Sequence, residues 1–192
     1  MNKKILTKGN KNWTQNYARN YPEIWASEIE TSDFLYGLVR LIKPEDCLEI
    51  GTFEGDASIA IGKALKDNNL GTLFTTDIKD FGQIKNIEDE KLLSIVECFI
   101  GSSERVSDVL NHLPPKDFIF IDDGHSYAEV TRDLEIAHKL CINEGYIVGH
   151  DVIGIDTVTQ AYRDFLIKHK DQYENIILNS YAGLFILKKI YA

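Results

Sequence analysis

The sequence predicts an α/β domain: a mostly parallel sheet, helices on both faces, and an antiparallel last strand. Three observations carry this. Short apolar runs alternate with stretches of helical periodicity from residue 46 to 169, the pattern of crossover units in a parallel sheet. Five successive runs end in small or polar residues, which in such a sheet gather at one edge. The alternation then breaks. Residues 173–179 and 184–188 are two extended runs separated only by 180–183, which leaves room for a hairpin and not for a helix.

The elements follow in order. Residues 1–12 are polar, and 13–30 carry Trp13, Tyr17, Tyr21 and Trp25 at steps of four, which would line one helix face. Pro22 interrupts that face, so 1–30 is expected as a helical extension, packed on the domain or covering a substrate, with the domain proper over 31–192. Phe34, Leu35, Leu38, Leu41 and Ile42 make an amphipathic helix that ends before Pro44. Strands are expected at 46–50, 72–77, 95–100, 117–122 and 145–150, and helices at 56–67, 83–93, 103–112, 127–141 and 157–169. The helix at 127 has a clear start, because Ser126 followed by Glu129 is a capping box. Tyr127, Val130, Leu134, Ala137 and Cys141 form its buried face, which leaves His125 outside the helix in a loop.

Bulk properties narrow the function. At 192 residues a single core is the natural reading. A net charge of −9 with no basic cluster beyond Lys3-Lys4 argues against a nucleic-acid surface. No apolar run approaches a membrane span, and the N-terminus lacks a signal-peptide core. Cys47, Cys98 and Cys141 lack paired spacing and read as reduced core residues of a cytoplasmic protein.

The ligand is suggested by the stretch Cys47-Leu48-Glu49-Ile50-Gly51-Thr52-Phe53-Glu54-Gly55-Asp56-Ala57-Ser58. It reads as strand, glycine turn and helix start, where a nucleotide-like ligand meets an α/β sheet. A dinucleotide fingerprint requires G-x-G-x-x-G, and Phe53 stands in place of its middle glycine. Glu49 and Glu54 would face the ligand and repel a phosphate. A ligand with an ammonium and a sulfonium but no phosphate fits, which describes S-adenosylmethionine. Asp77 ends the next strand about 20 residues on, where an acid takes ribose hydroxyls. Gly101, Ser102 and Ser103 end the third and are candidates for the adenine edge.

With Asp122-Asp123-Gly124-His125-Ser126-Tyr127 and Gly149-His150-Asp151 added, the chain resembles a class I S-adenosylmethionine-dependent methyltransferase. Within that class it is similar to the small-molecule O-methyltransferases with E-I-G-x-x-x-G, I-D-x-x-H-S-Y and H-D motifs. The resemblance covers about 31–190 and implies a Rossmann-like seven-stranded sheet. This chain has Ser102 where many members carry an acid. The cofactor site implied is Glu49, Gly51, Thr52, Phe53, Gly55, Ser58, Asp77, Gly101, Ser102, Ser103 and Asp122.

Methyl transfer to oxygen needs an aligned, partly deprotonated hydroxyl and an offset for its growing charge. A divalent metal can supply the last two. Asp122 and Asp151 should end neighbouring strands, and the family's metal-dependent members use acids at the matching positions. Mg²⁺ with Asp122, Asp151 and His150 is therefore expected, with Asp123 a further candidate ligand. His125, with Asp122, is the catalytic candidate: a general base near working pH, or a group that only orients substrate. Asp122 and Asp123 could instead cap backbone N–H groups. The rival readings are an NAD-dependent oxidoreductase, a non-catalytic binding protein, and methylation at nitrogen or carbon. The acceptor is expected to be a sugar, a glycosylated metabolite or a phenol-like ring, against a wall including Tyr17, Trp25, Tyr127 and Tyr181. A homo-oligomer is compatible with the sequence.

Overall fold

The computed structural model describes residues 28–190; the aromatic stripe at 13–25 and the boundary expected near residue 30 lie outside or at the edge of it. The elements run α1 (Ile29–Ile42), β1 (Asp46–Ile50), α2 (Asp56–Asn68), β2 (Thr72–Asp77), α3 (Gln83–Asp89), β3 (Val96–Ile100), α4 (Ser103–His112), β4 (Lys116–Ile121), α5 (Tyr127–Leu140), β5 (Cys141–Gly149), α6 (Asp156–Lys168), β6 (Tyr173–Leu178) and β7 (Leu184–Lys189). The seven strands form one sheet in the order β3-β2-β1-β4-β5-β7-β6. β1 to β5 pair in parallel, while β7 inserts between β5 and β6 antiparallel to both. The expected fold class holds, reversed last strand included.

Strand periodicity splits the core in two. Leu48, Ile50, Ile119, Ile121 and Ile147 pack with α4, α5 and α6 on one face. Cys47, Phe118, Phe120 and Val148 point the other way, onto α1, α2 and α3. With both faces covered, the central strands read as continuous apolar runs. The thiols of Cys47, Cys98 and Cys141 are free, and burial pushes each above its ordinary pKa.

Four details depart from the expectation. Leu41 is 78% exposed, because the buried stripe of α1 runs through Leu35 and Val39 instead. Tyr127 is also exposed, its hydroxyl donating to Asp164 across to α6. α3 stops at Asp89, since Lys91 turns left-handed and the Leu92 N–H closes onto the Ile87 carbonyl. β5 begins at Cys141, directly after α5, with a register shift before Tyr146 and a left-handed Glu144. Among the described residues, no helix is long and apolar enough to cross a membrane.

Candidate active site

The chain leaves β1 toward β2 on one side, and β4 toward β5 on the other. The crevice between the C-terminal ends of β1 and β4 is thus the topological switch point, where ligands bind in open α/β sheets. Gly51 and Gly55 both take left-handed φ, at 93° and 92°. A Cβ on Gly51 would lie 2.2 Å from the Asp122 carbonyl oxygen, so only glycine lets the loop pass the end of β4. Phe53, also left-handed at φ 47°, packs its ring on Phe81 at 4.9 Å.

Asp77 builds this loop. Its Oδ2 accepts the N–H groups of Thr52 at 3.1 Å and Phe53 at 2.7 Å, and Oδ1 accepts the Lys79 N–H at 3.2 Å. Its side chain is buried. Sequence reasoning gave Asp77 a ribose; the structure commits most of its carboxylate to the backbone of the loop beneath which it lies. Glu49 departs further from expectation. It is fully buried and faces inward, with Oε2 accepting the hydroxyls of Ser58 and Thr75. Burial pushes its pKa up to about 8 against the pull of those two hydroxyls, and Oε1 has no hydrogen-bond partner. Ser58 is likewise turned to Glu49, and Thr52 shares a 2.6 Å hydrogen bond with Thr75. The Gly101 N–H donates to the Asp77 carbonyl. The Ser102 hydroxyl caps α4 by accepting the Arg105 N–H at 3.4 Å.

The other half of the edge is made by the ends of β4 and β5. Asp122 N–H donates to the Ile50 carbonyl and His150 N–H to that of Ile121, which sets Asp122 and Asp151 side by side. The capping box of α5 is present as expected. It ends the loop that presents His125, and the Thr157 hydroxyl of α6 holds that loop through the His125 carbonyl at 2.6 Å. His125 Nε2 lies 2.6 Å from Asp151 Oδ2. That hydrogen bond raises the pKa of His125, with burial opposing. Burial would raise Asp151, but His125 and His150 hold it far below the carboxylate range. Asp151 itself sits at φ 63°, a left-handed conformation that aspartate tolerates better than most side chains.

One ligand atom each from Asp122, His125 and Asp151 lies within 4.8 Å of the others, so these three can share a cation. The structure puts His150 elsewhere. It is 8% exposed, with Nε2 2.7 Å from Glu28 Oε2 and Nδ1 facing Asp122 and Asp151. Burial is outweighed by these three acids, which raise its pKa to about 12; both ring nitrogens are turned to carboxylates, and the atoms grouped for a cation are those of Asp122, His125 and Asp151. Asp123 faces Arg132 at 3.6 Å, and burial raises its pKa. Tyr181 is exposed, and Tyr17 and Trp25 lie outside the described residues. Sequence reasoning missed Glu28, which no motif marks.

Comparison with known proteins agrees with this geometry. The family described as "Methyltransferase domain" matches residues 48–152, from β1 through the cluster at the end of β5. A search of curated proteins finds no match. Among solved structures, the chain is similar to an O-methyltransferase from Bacillus cereus in complex with SAH, at 25% identity and TM-score 0.72, over 92% of this chain and 88% of that one. It is also similar to the O-methyltransferase TomG from Streptomyces achromogenes, involved in tomaymycin synthesis and in complex with SAM. There the identity is 20% and the TM-score 0.73, over 100% and 92% of the two chains. A third, the cofactor-bound Rv0187 from MTB, matches at 19% identity and TM-score 0.75, over 90% and 85%. The chain belongs to the methyltransferase-domain family and has the class I S-adenosylmethionine-dependent methyltransferase fold.

Proposed function

We propose that this protein transfers a methyl group from S-adenosylmethionine to a hydroxyl of a small-molecule acceptor, assisted by a divalent cation. The observation that carries the reading is the meeting, at one switch point, of the family's glycine loop with Asp122, His125 and Asp151. The crevice suits the cofactor: Glu49 keeps an unpartnered buried oxygen, and Asp77, Asp122 and Asp123 add acidic character that favours a cationic ligand. The backbone of 51–55 would hold the cofactor, with Gly51 toward its methionyl end, Asp77 toward the ribose, and Gly101 to Ser103 toward the adenine; Glu49, turned inward onto Ser58 and Thr75, would act only through the loop. S-adenosylmethionine, when bound, supplies an electrophilic methyl group.

The donor set of Asp122, Asp151 and His125 fits a divalent ion. The two carboxylates suit Mg²⁺ with water, and the imidazole extends the set to Mn²⁺-like ions. Such an ion lowers the pKa of a hydroxyl it coordinates. Without an ion on the ring, His125 directs Nε2 at Asp151, which fixes the ring and leaves Nδ1 as the atom to take the acceptor proton. Asp151 stabilises the imidazolium that results. A second, metal-free reading uses this dyad alone, and the 2.6 Å contact favours it.

Calorimetric titration of S-adenosylhomocysteine with and without Mg²⁺ tests the cofactor, followed by methyl transfer to a panel of hydroxyl acceptors with and without EDTA. Saturable binding near 1:1 and EDTA-sensitive transfer are expected. Full transfer in EDTA would leave the dyad reading. No binding, with an NADH fluorescence change instead, would replace the reading by an oxidoreductase. Binding with no transfer across the panel would favour a non-catalytic protein.

A further inference from the structure

Behind the cluster lies a string of side chains that the motifs do not contain. Glu28 precedes α1, and its side chain is 17% exposed. One carboxylate joins three distant segments of chain. Its Oε2 faces His150 Nε2 at 2.7 Å and accepts the Thr31 hydroxyl at 3.0 Å. Its Oε1 accepts the Ala182 N–H at 2.9 Å, in the turn between β6 and β7. The Ala182 carbonyl in turn accepts the N–H groups of Ile153 and Gly154, in the loop that follows Asp151. On the far edge of the His150 ring, Nδ1 lies 3.5 Å from Asp122 Oδ1 and 3.4 Å from Asp151 Oδ1. Asp151 Oδ2 completes the string at His125.

We propose that Glu28 is a positioning residue of the site: by holding His150 from behind, it fixes the carboxylates of Asp122 and Asp151 on the acceptor side. This rests on the functional reading above for the meaning of that side, and on the geometry alone for the coupling. The physical reason is rotational. An imidazole gripped at one nitrogen by a buried carboxylate has its ring plane set, so its other nitrogen can hold two acids at once. Without Glu28 the Nε2 edge would keep only the Thr31 hydroxyl, at 3.5 Å, in a site almost closed to water, which is costly. The ring would then turn to satisfy it and release one aspartate. Because the same carboxylate also grips the β6–β7 turn, the site is fully formed only when that turn and the start of α1 are both docked.

The test uses the whole chain with Glu28→Gln, His150→Gln, the double variant, and Thr31→Val as a milder perturbation of the same carboxylate and of the His150 edge that it holds. Two quantities are read. One is Mn²⁺ affinity by paramagnetic resonance titration. The other is the ¹⁵N signal of the His125 ring in metal-free protein at fixed pH. Glu28→Gln is expected to weaken Mn²⁺ severalfold, because His150, which Glu28 holds, orients the two ligating aspartates, and to shift the His125 signal. Thr31→Val should shift it less, in the same direction. In the His150→Gln background, Glu28→Gln should change neither quantity further, because its influence passes through the ring. Unchanged readouts in folded Glu28→Gln protein, or effects that simply add in the double variant, overturn the proposal. Should Glu28→Gln fail to fold, Glu28→Asp, which keeps the charge but withdraws it from the ring, decides in its place, and an unmoved His125 signal there overturns the proposal. If the parent protein binds no Mn²⁺, the metal part of the functional reading falls, and the His125 signal alone judges the coupling.

Discussion

The two halves of the sheet edge handle their acids in opposite ways. At the ends of β1 and β2, Glu49 and Asp77 are buried and held from within, by hydroxyls at Glu49 Oε2 and by backbone N–H groups at Asp77. At the ends of β4 and β5, Asp122, Asp151 and His125 stay partly open to solvent and are balanced against one another and against His150. An acid satisfied by backbone shapes a loop, and its loss is felt as a loss of shape. An acid balanced by a neighbouring ring can exchange that partner for a ligand, and its loss is felt in chemistry.

Four substitutions would break or sharpen this contrast. The largest effect is expected at Asp151→Ala, which strips His125 of its partner. The methyl-transfer rate constant should fall about a thousandfold, within the range for general acid–base catalysis, while calorimetry shows S-adenosylhomocysteine affinity within about threefold of the parent. A comparable loss in both would erase the distinction between the halves.

Asp77→Ala should do the reverse. Two charge-assisted hydrogen bonds to the glycine loop disappear, together worth about 3 kcal/mol. Affinity for S-adenosylhomocysteine should fall about a hundredfold and the thermal midpoint should drop. An unchanged affinity would remove Asp77 from both the loop and the ribose.

Glu49 offers a signed pH test. Its folded pKa is raised to about 8 from an ordinary 4.5. Below the ordinary value both states carry the proton and the residue is neutral in the balance. Between the two values the unfolded chain has lost its proton while the folded protein holds it, so the parent loses stability as pH rises. Denaturant titrations should therefore show Glu49→Gln gaining on the parent from pH 5 to pH 8, by an amount on the order of a few kcal/mol. A gap independent of pH would mean that Glu49 is ionised throughout, as an open ligand-facing acid would be.

The smallest effect belongs to Ser102→Ala. As the cap of α4 its hydroxyl should contribute about 1 kcal/mol of stability. If it also serves the adenine, affinity should fall about fivefold, the worth of one neutral hydrogen bond. Chemical denaturation and calorimetry on the one variant separate the two roles.

Most of the architecture was legible from the chain. Strand and helix alternation, the capping box at Ser126 and the hairpin at 173–188 are local signals, set by periods of two and 3.6 and by turn composition. The misreadings came where a third partner decides. Leu41 and Tyr127 fit their helical stripes, yet Leu41 is left uncovered and α6 meets Tyr127 only at its hydroxyl, through Asp164. The site divides the same way. Gly51, Asp122, His125 and Asp151 were legible because strand ends in a parallel sheet gather at one edge. The inward turn of Glu49 was not, since alternation along β1 puts it on the face of Cys47, under α2, where the hydroxyls of Ser58 and Thr75 meet it.

By itself the sequence determined the sheet, its reversed last strand, the left-handed glycine turn and the set of ionisable residues at the strand ends. These follow from periodicity, from glycine's freedom at positive φ, and from the order of elements. Tertiary structure alone decided which charge faces which. Glu28 is far from His150 and Ala182 in the chain, and nothing local to Glu28 foretells either contact. Ion pairing in a buried site depends on distance and orientation across the fold, and those are set only after the helices and the β6–β7 turn have packed.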